Sequence, residues 1–156
     1  MEVYAFHRDT VGEQFIAALS RAAARGVRVT VVLDAWGSRA GTGYLRDKLR
    51  TAGIGVRIYN PLRYFFTGRL WRNHLELLLV DDRTAFVGGI NIGSAYADEA
   101  TPNAWADLAI EIQGPSCHEL VHRIWRRSTF VRGDPFASFW PASAEGCGLG
   151  GDICEP

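Results

Sequence analysis

Val27 to Leu33 (VRVTVVL) is a β-branched, mostly apolar run that ends abruptly at Asp34, and it constrains the fold more than any other segment. Such a run reads as a strand buried on both faces, which requires helices packed over both sides of a sheet. The flanking sequence supplies them. Val3 to Phe6 reads as a first strand. Thr10 with Glu13 forms a capping box opening a helix whose one face carries Phe15, Ile16, Leu19 and Ala23, and Gly26 suits its C-terminal cap. A second helix is predicted over about Tyr44 to Ala52, pairing Leu45 with Leu49 and stopping at Gly53. Val56 to Tyr59 follows as a short strand closed by Asn60-Pro61. His74 to Val80 and Thr84 to Val87 read as a hairpin around Asp81-Asp82-Arg83, and Ala106 to Ile112 as a further strand. Ser116 with Glu119 repeats the capping box ahead of a helix striped by Leu120, Val121, Ile124 and Trp125. The alternation predicts an α/β/α sandwich with a mixed, mostly parallel sheet over residues 1–132. Residues 133–156, rich in Pro, Gly, Ser and Cys, are expected to form an irregular tail. A start directly on a strand and an unpatterned tail are what a piece of a longer protein would show.

At 156 residues and 47% hydrophobic, the chain can bury one real core. Its 17 basic residues balance 17 acidic ones, so any recognition of an anion must be local. No apolar run has the length of a transmembrane helix, and the N-terminus lacks a signal-peptide pattern. Cys117, Cys147 and Cys154 are odd in number and lack ligand spacing, so reduced thiols are expected.

Residues Arg72 to Gly93 (RNHLELLLVDDRTAFVGGINIG) carry the chemistry. His74 is followed seven positions on by Asp81, and a Gly88-Gly89-Ile90-Asn91 turn closes the segment. A neutral imidazole can attack phosphorus, while glycine-turn amides and an Asn amide can hold phosphate oxygens. The run resembles the phospholipase D superfamily signature, His-x-Lys-x4-Asp-x6-Gly-Gly-x-Asn, in its cardiolipin synthase-like form. Val3 to Gly12, Arg25 to Arg39, Ala52 to Pro61, Trp105-Ala106-Asp107 and Ile112 to Pro115 resemble further segments of that family in the same order.

The resemblance implies a phospholipase D-like sandwich that performs phosphatidyl transfer through a phosphohistidine, without metal or organic cofactor. It assigns His74 as nucleophile or acid, Asp81 as its support, and Asn91 with Gly88 and Gly89 as phosphate-binding residues. Two such motifs build one site in the family. This chain has one, so a homodimer or a complementary half-domain is the implied partner. Phosphatidylglycerol-like lipid is the implied substrate, and the expected location is cytoplasmic, peripheral at the inner membrane.

The chain departs from the pattern at Glu76, which stands at the family's lysine position. A unit charge ~4 Å from a phosphate oxygen at an effective dielectric of ~20 is worth roughly 4 kcal/mol, so reversing its sign swings about 8. Leu108-Ala109 also stands where the family has a Thr-His pair. A non-catalytic half-domain that binds lipid or a partner chain is therefore the alternative within the same fold.

Two other patterns compete for attention. His118-Glu119-Leu120-Val121-His122 spells the zinc-hydrolase H-E-x-x-H, with Glu145 as the only downstream glutamate at a plausible distance to complete it. Glu119 already serves the capping box and the helix has its own apolar stripe, so no metal is expected. Arg57 to Arg72 interleaves arginines with aromatics and contains no acid. Within it Arg63, Phe65, Phe66, Arg69 and Trp71 suit an anionic membrane surface, with single-stranded nucleic acid ranked behind it and simple packing as the bland alternative.

Overall fold

The computed structural model describes residues 1–61, 72–81, 83–97, 104–115, 117 and 119. Six strands form one sheet: β1 (Glu2–Val3), β2 (Thr30–Asp34), β3 (Gly55–Tyr59), β4 (Glu76–Val80), β5 (Thr84–Gly88) and β6 (Ala109–Gln113), in the order β3-β2-β1-β4-β5-β6. Helices α1 (Thr10–Ala24) and α2 (Thr42–Thr51) connect the first three strands, which are parallel; β5 runs antiparallel to both β4 and β6, and β4 runs against β1. The sheet is thus mixed, with the parallel half made by the helical crossovers and the antiparallel half by the hairpin.

Val31, Val32 and Leu33 are fully buried, as the unbroken apolar run of β2 requires. One face of the parallel half packs Val3, Val31, Leu33 and Val56 against Ile16, Leu45 and Leu49 of the helices. The opposite face of the hairpin carries a smaller cluster of Leu77, Ala85 and Cys117. Cys117 is a free, buried thiol; Cys147 and Cys154 lie outside the described residues.

Three local expectations are corrected. Helix α1 is capped by Asp9, whose carboxylate accepts from the Gly12 amide at 2.9 Å, and not by Thr10. The same carboxylate takes the Ser94 amide at 2.7 Å, a long-range contact that fixes the cap one residue earlier than the local pattern indicates. Phe15 is not among the buried residues of α1; it stays 39% exposed and meets Phe6 edge-on at 6.5 Å. The strand predicted from His74 begins at Glu76, and the one predicted from Ala106 begins at Ala109. The capping box at Ser116, the helix behind it and the tail lie outside the described residues except Cys117 and Glu119, both helical.

Because Leu49 is fully enclosed whereas Phe15 is half open, Leu49→Ala should cost about 2–5 kcal/mol and Phe15→Ala no more than about 1. Urea denaturation of the two variants measures the difference.

Candidate functional site

The site is built on the end of β1. Strand pairing brings the C-terminal ends of β1, β2 and β5 and the N-terminal end of β4 to one edge of the sheet. After Val3 the chain leaves regular pairing, and each following residue holds a different neighbour. The Tyr4 ring stacks on His74 with centroids 3.8 Å apart and planes 22° from parallel. The Tyr4 amide donates to the Glu76 carboxyl group. The Ala5 amide donates to Asn91 Oδ1 at 2.7 Å, and the Phe6 amide to Ser38 Oγ at 3.1 Å. Ile92 N–H donates to the Ala5 carbonyl at 3.0 Å, and His7 N–H to the Ile92 carbonyl at 2.8 Å, a bridge that draws the glycine turn against β1.

His74 is exposed on this edge, just before β4, whereas Glu76 is the first residue of β4 and is 9% exposed. The two therefore part company: the imidazole faces outward on the Tyr4 ring, and the carboxyl group turns inward. Burial raises the Glu76 pKa to about 7, with the Asp107 and Glu2 carboxylates adding repulsion and the Glu76 and Tyr4 amides partly offsetting it. Position 76 is thus surrounded by negative charge, a setting suited to a cation.

Gly88 and Gly89 are required by the next strand. A Cβ on Gly88 would lie 2.2 Å from the Leu108 carbonyl oxygen, and one on Gly89 would lie 2.5 Å from the Asp107 carboxylate. Asn91 donates through Nδ2 to Tyr96 Oη at 3.2 Å and to the Gly89 carbonyl at 3.3 Å, so its amide is engaged on both ends. Asp81 lies elsewhere. It occupies the β4–β5 turn with φ +50°, at the far end of β4 from His74, separated from it by about 17 Å of strand. The structure therefore gathers His74, Glu76, Asn91, Gly88 and Gly89 at one edge and leaves Asp81 apart.

An acidic network under this edge had no counterpart in the sequence reading. Asp34 Oδ1 accepts from the Trp36 and Gly37 amides at 2.8 and 3.0 Å, and its Oδ2 accepts from the Asn73 amide at 3.2 Å. Asn73 Nδ2 also donates to the buried Glu2 carboxylate. Asn73 thereby locks the residue before His74 onto β1 and β2. Only its adjacency to His74 could have hinted at this, because its partners are 39 and 71 residues away.

A family model described as cardiolipin synthase, PLD-like domain, matches residues 1–126. The chain belongs to this phospholipase D-like family. Cardiolipin synthase B of Shigella flexneri is 34% identical over 124 residues, which cover 78% of this chain and 30% of that protein. Cardiolipin synthase B of Salmonella typhi is 36% identical over the same length and coverage. Cardiolipin synthase of Clostridium perfringens (strain 13 / Type A) is 32% identical over 126 residues, 79% of this chain and 26% of that one. The chain thus spans under a third of the length of these relatives. Among solved structures, polyphosphate kinase from Porphyromonas gingivalis matches with a TM-score of 0.52 and 17% identity, over 81% of this chain and 20% of that one, which establishes likeness of fold alone.

Arg63, Phe65, Phe66, Arg69 and Trp71 lie outside the described residues, as do His118, His122 and Glu145 of the H-E-x-x-H alternative. Among the described residues, no three His, Cys, Asp or Glu side chains cluster as metal ligands, and no helix is long and apolar enough to cross a membrane.

Glu76 gives this phospholipase D-like domain a defined pH response. Its folded pKa of about 7 lies above the unfolded value of 4.5, so its neutral form favours the fold and that contribution is fully present below pH ~4.5. Stability should fall as pH rises from about 4.5 to about 7 and then level. Glu76→Gln should flatten this slope and stabilise the domain by about 1–2 kcal/mol at pH 8, allowing for solvent at the open side of the site. Urea titrations at pH 5 and pH 8 report both effects. Gly88→Ala, which forces backbone against backbone, should cost about 1–3 kcal/mol in the same assay at either pH.

Proposed function

We propose that this chain is one half of a phospholipase D-like phosphatidyltransfer site, acting on the phosphodiester of a phosphatidylglycerol-like lipid and completed by a second half-domain or a second copy. The observation that carries the reading is the placement of His74: exposed, held flat by Tyr4, at the sheet edge where the Gly88–Asn91 turn is tied to β1. An imidazole so held is accessible to phosphorus and restrained in orientation, as a nucleophile or a general acid needs. Attack by its ring nitrogen would form an N–P bond as the P–O bond to the leaving alcohol breaks. A proton delivered by the complementary half would neutralise that alkoxide. The second acid must come from elsewhere, because this chain contributes one motif histidine. Asp81, far along β4, supports the hairpin in this reading and does not touch the substrate. Membership of the cardiolipin synthase family supports the substrate class, and a peripheral position at the membrane accords with it.

Glu76 limits this half. Its carboxyl group stands at the family's lysine position amid Asp107 and Glu2, so phosphate entering beside it meets three acids. A non-catalytic half that binds lipid or its partner, leaving chemistry to the other half, is the reading favoured by that observation. Glu76→Lys should place a cation where two carboxylates already wait, and so raise both stability at pH 8 and affinity for tungstate or vanadate. Calorimetry should register at least a tenfold gain in oxyanion affinity, abolished when His74→Ala is added. Wild-type affinity equal to that of Glu76→Lys would remove position 76 from the phosphate site.

A further inference from the structure

Three arginines stand on the His74 edge without an acidic partner among the described residues. Arg8 follows β1, Arg39 follows β2 and Arg72 precedes β4, so the topology brings all three to the same end of the sheet. Each is posed on an aromatic ring. The Arg8 guanidinium lies 4.1 Å from the Tyr44 centroid, and the Arg39 and Arg72 guanidiniums lie 5.2 and 4.5 Å from the Trp36 centroid. A Cβ on Gly41, two residues after Arg39, would lie 3.2 Å from Arg8 Cβ, so the two chain segments approach there.

Neighbouring acids are engaged by other partners. Asp34 is consumed by three backbone amides, Asp9 by the α1 cap and Ser94, and Glu13 by the Tyr44 hydroxyl at 2.6 Å and Lys48 at 3.7 Å. The described ion pairs are Arg46–Asp47 and Lys48–Glu13, neither of which involves the three rim arginines. A guanidinium stacked on a ring keeps its in-plane N–H groups, which match the oxygens of a phosphate. The chain as a whole is neutral, so this is a local concentration of positive charge.

We propose that the rim formed by Arg8, Arg39 and Arg72 on Tyr44 and Trp36 seats the domain on an anionic phospholipid bilayer, with His74 facing the headgroups. This deepens the reading of His74 as a phosphodiester site and rests on it. A lipid phosphodiester can reach His74 only if this edge of the sheet meets the membrane. Trp36 and Tyr44 are amphipathic rings of the kind found at headgroup depth.

The test is co-sedimentation of the chain with vesicles of equal parts phosphatidylglycerol and phosphatidylcholine, against pure phosphatidylcholine. Wild type should bind the anionic vesicles selectively and lose that binding as salt is raised through several tenths molar. The triple variant Arg8→Gln, Arg39→Gln, Arg72→Gln should bind about a hundredfold more weakly, at roughly fivefold per arginine. Arg21→Gln, Arg25→Gln and Arg28→Gln, exposed at the opposite end of the sheet, remove the same charge and should cost less than about fivefold. Circular dichroism establishes that both variants fold. Equal losses in the two triple variants would reduce the effect to net charge and overturn the proposal. Failure of wild type to prefer anionic vesicles would overturn it without reference to any variant. So would a rim variant that loses a single-stranded oligonucleotide but keeps vesicles. His74→Ala separates the two readings. In the Glu76→Lys background it should abolish oxyanion binding and leave vesicle binding intact, so a Glu76→Lys variant that binds vesicles but no oxyanion would sink the phosphodiester site and spare the rim.

Discussion

Four residues at the end of β1, Tyr4 to His7, are the constraint on which the site depends. A strand that continued its ladder would spend its amides on a neighbouring strand. Here the four amides go to three other segments: Tyr4 to Glu76, Phe6 to Ser38, and Ala5 and His7 to Asn91 and Ile92 after the glycine turn. These are buried or half-buried donors whose loss would leave unpaired polar groups at the centre of the molecule. The early termination of pairing after Val3 is thus what lets one short segment fasten the glycine turn, the β2 loop and the start of β4 together. Tyr4 adds the one contact that faces outward, the ring on which His74 lies.

The electrostatics beneath and around that edge are of opposite kinds. Inside, Glu2, Asp34 and Glu76 concentrate negative charge near the strand ends, with the exposed Asp107 close to Glu76. It is tolerated because Asn73 and backbone amides satisfy Glu2 and Asp34, and because Glu76 holds its proton up to about neutral pH. Outside, the cations are lifted onto aromatic rings. The family's lysine would sit comfortably at the inner position, since Asp107 and Glu2 would partner it. Replacing it by Glu76 leaves the fold intact by shifting a proton, and removes a positive charge from the inner position.

Legibility varied with the range of the interaction responsible. The two-sided burial of β2 and the Leu45–Leu49 pair were readable because each is written in consecutive or i,i+4 residues. The cap of α1 was misplaced by one residue because Asp9 is held by Ser94, 85 positions away. Phe15 fits the helical stripe by period but sits beyond the helix's contact with the sheet, and periodicity alone does not mark where that contact ends. Asp81 looked like a partner of His74 because it shares its motif; a strand between them puts them at opposite ends.

From its sequence alone the chain determined its family and its α/β class, and placed His74 in the family's motif, since these rest on local pattern and on residues in fixed order. It also fixed the anomaly at Glu76, a matter of one letter. Only tertiary structure decided what surrounds those letters. Glu76 turns inward and His74 outward because β4 begins between them, and Asn91 is engaged because the Ala5 amide lies opposite. Arg8, Arg39 and Arg72, separated by more than thirty residues each, come to the same end of the sheet because β1 and β2 run parallel while β4 runs against β1. Spacing along a chain carries no record of such convergence, which arises when strands pair in space.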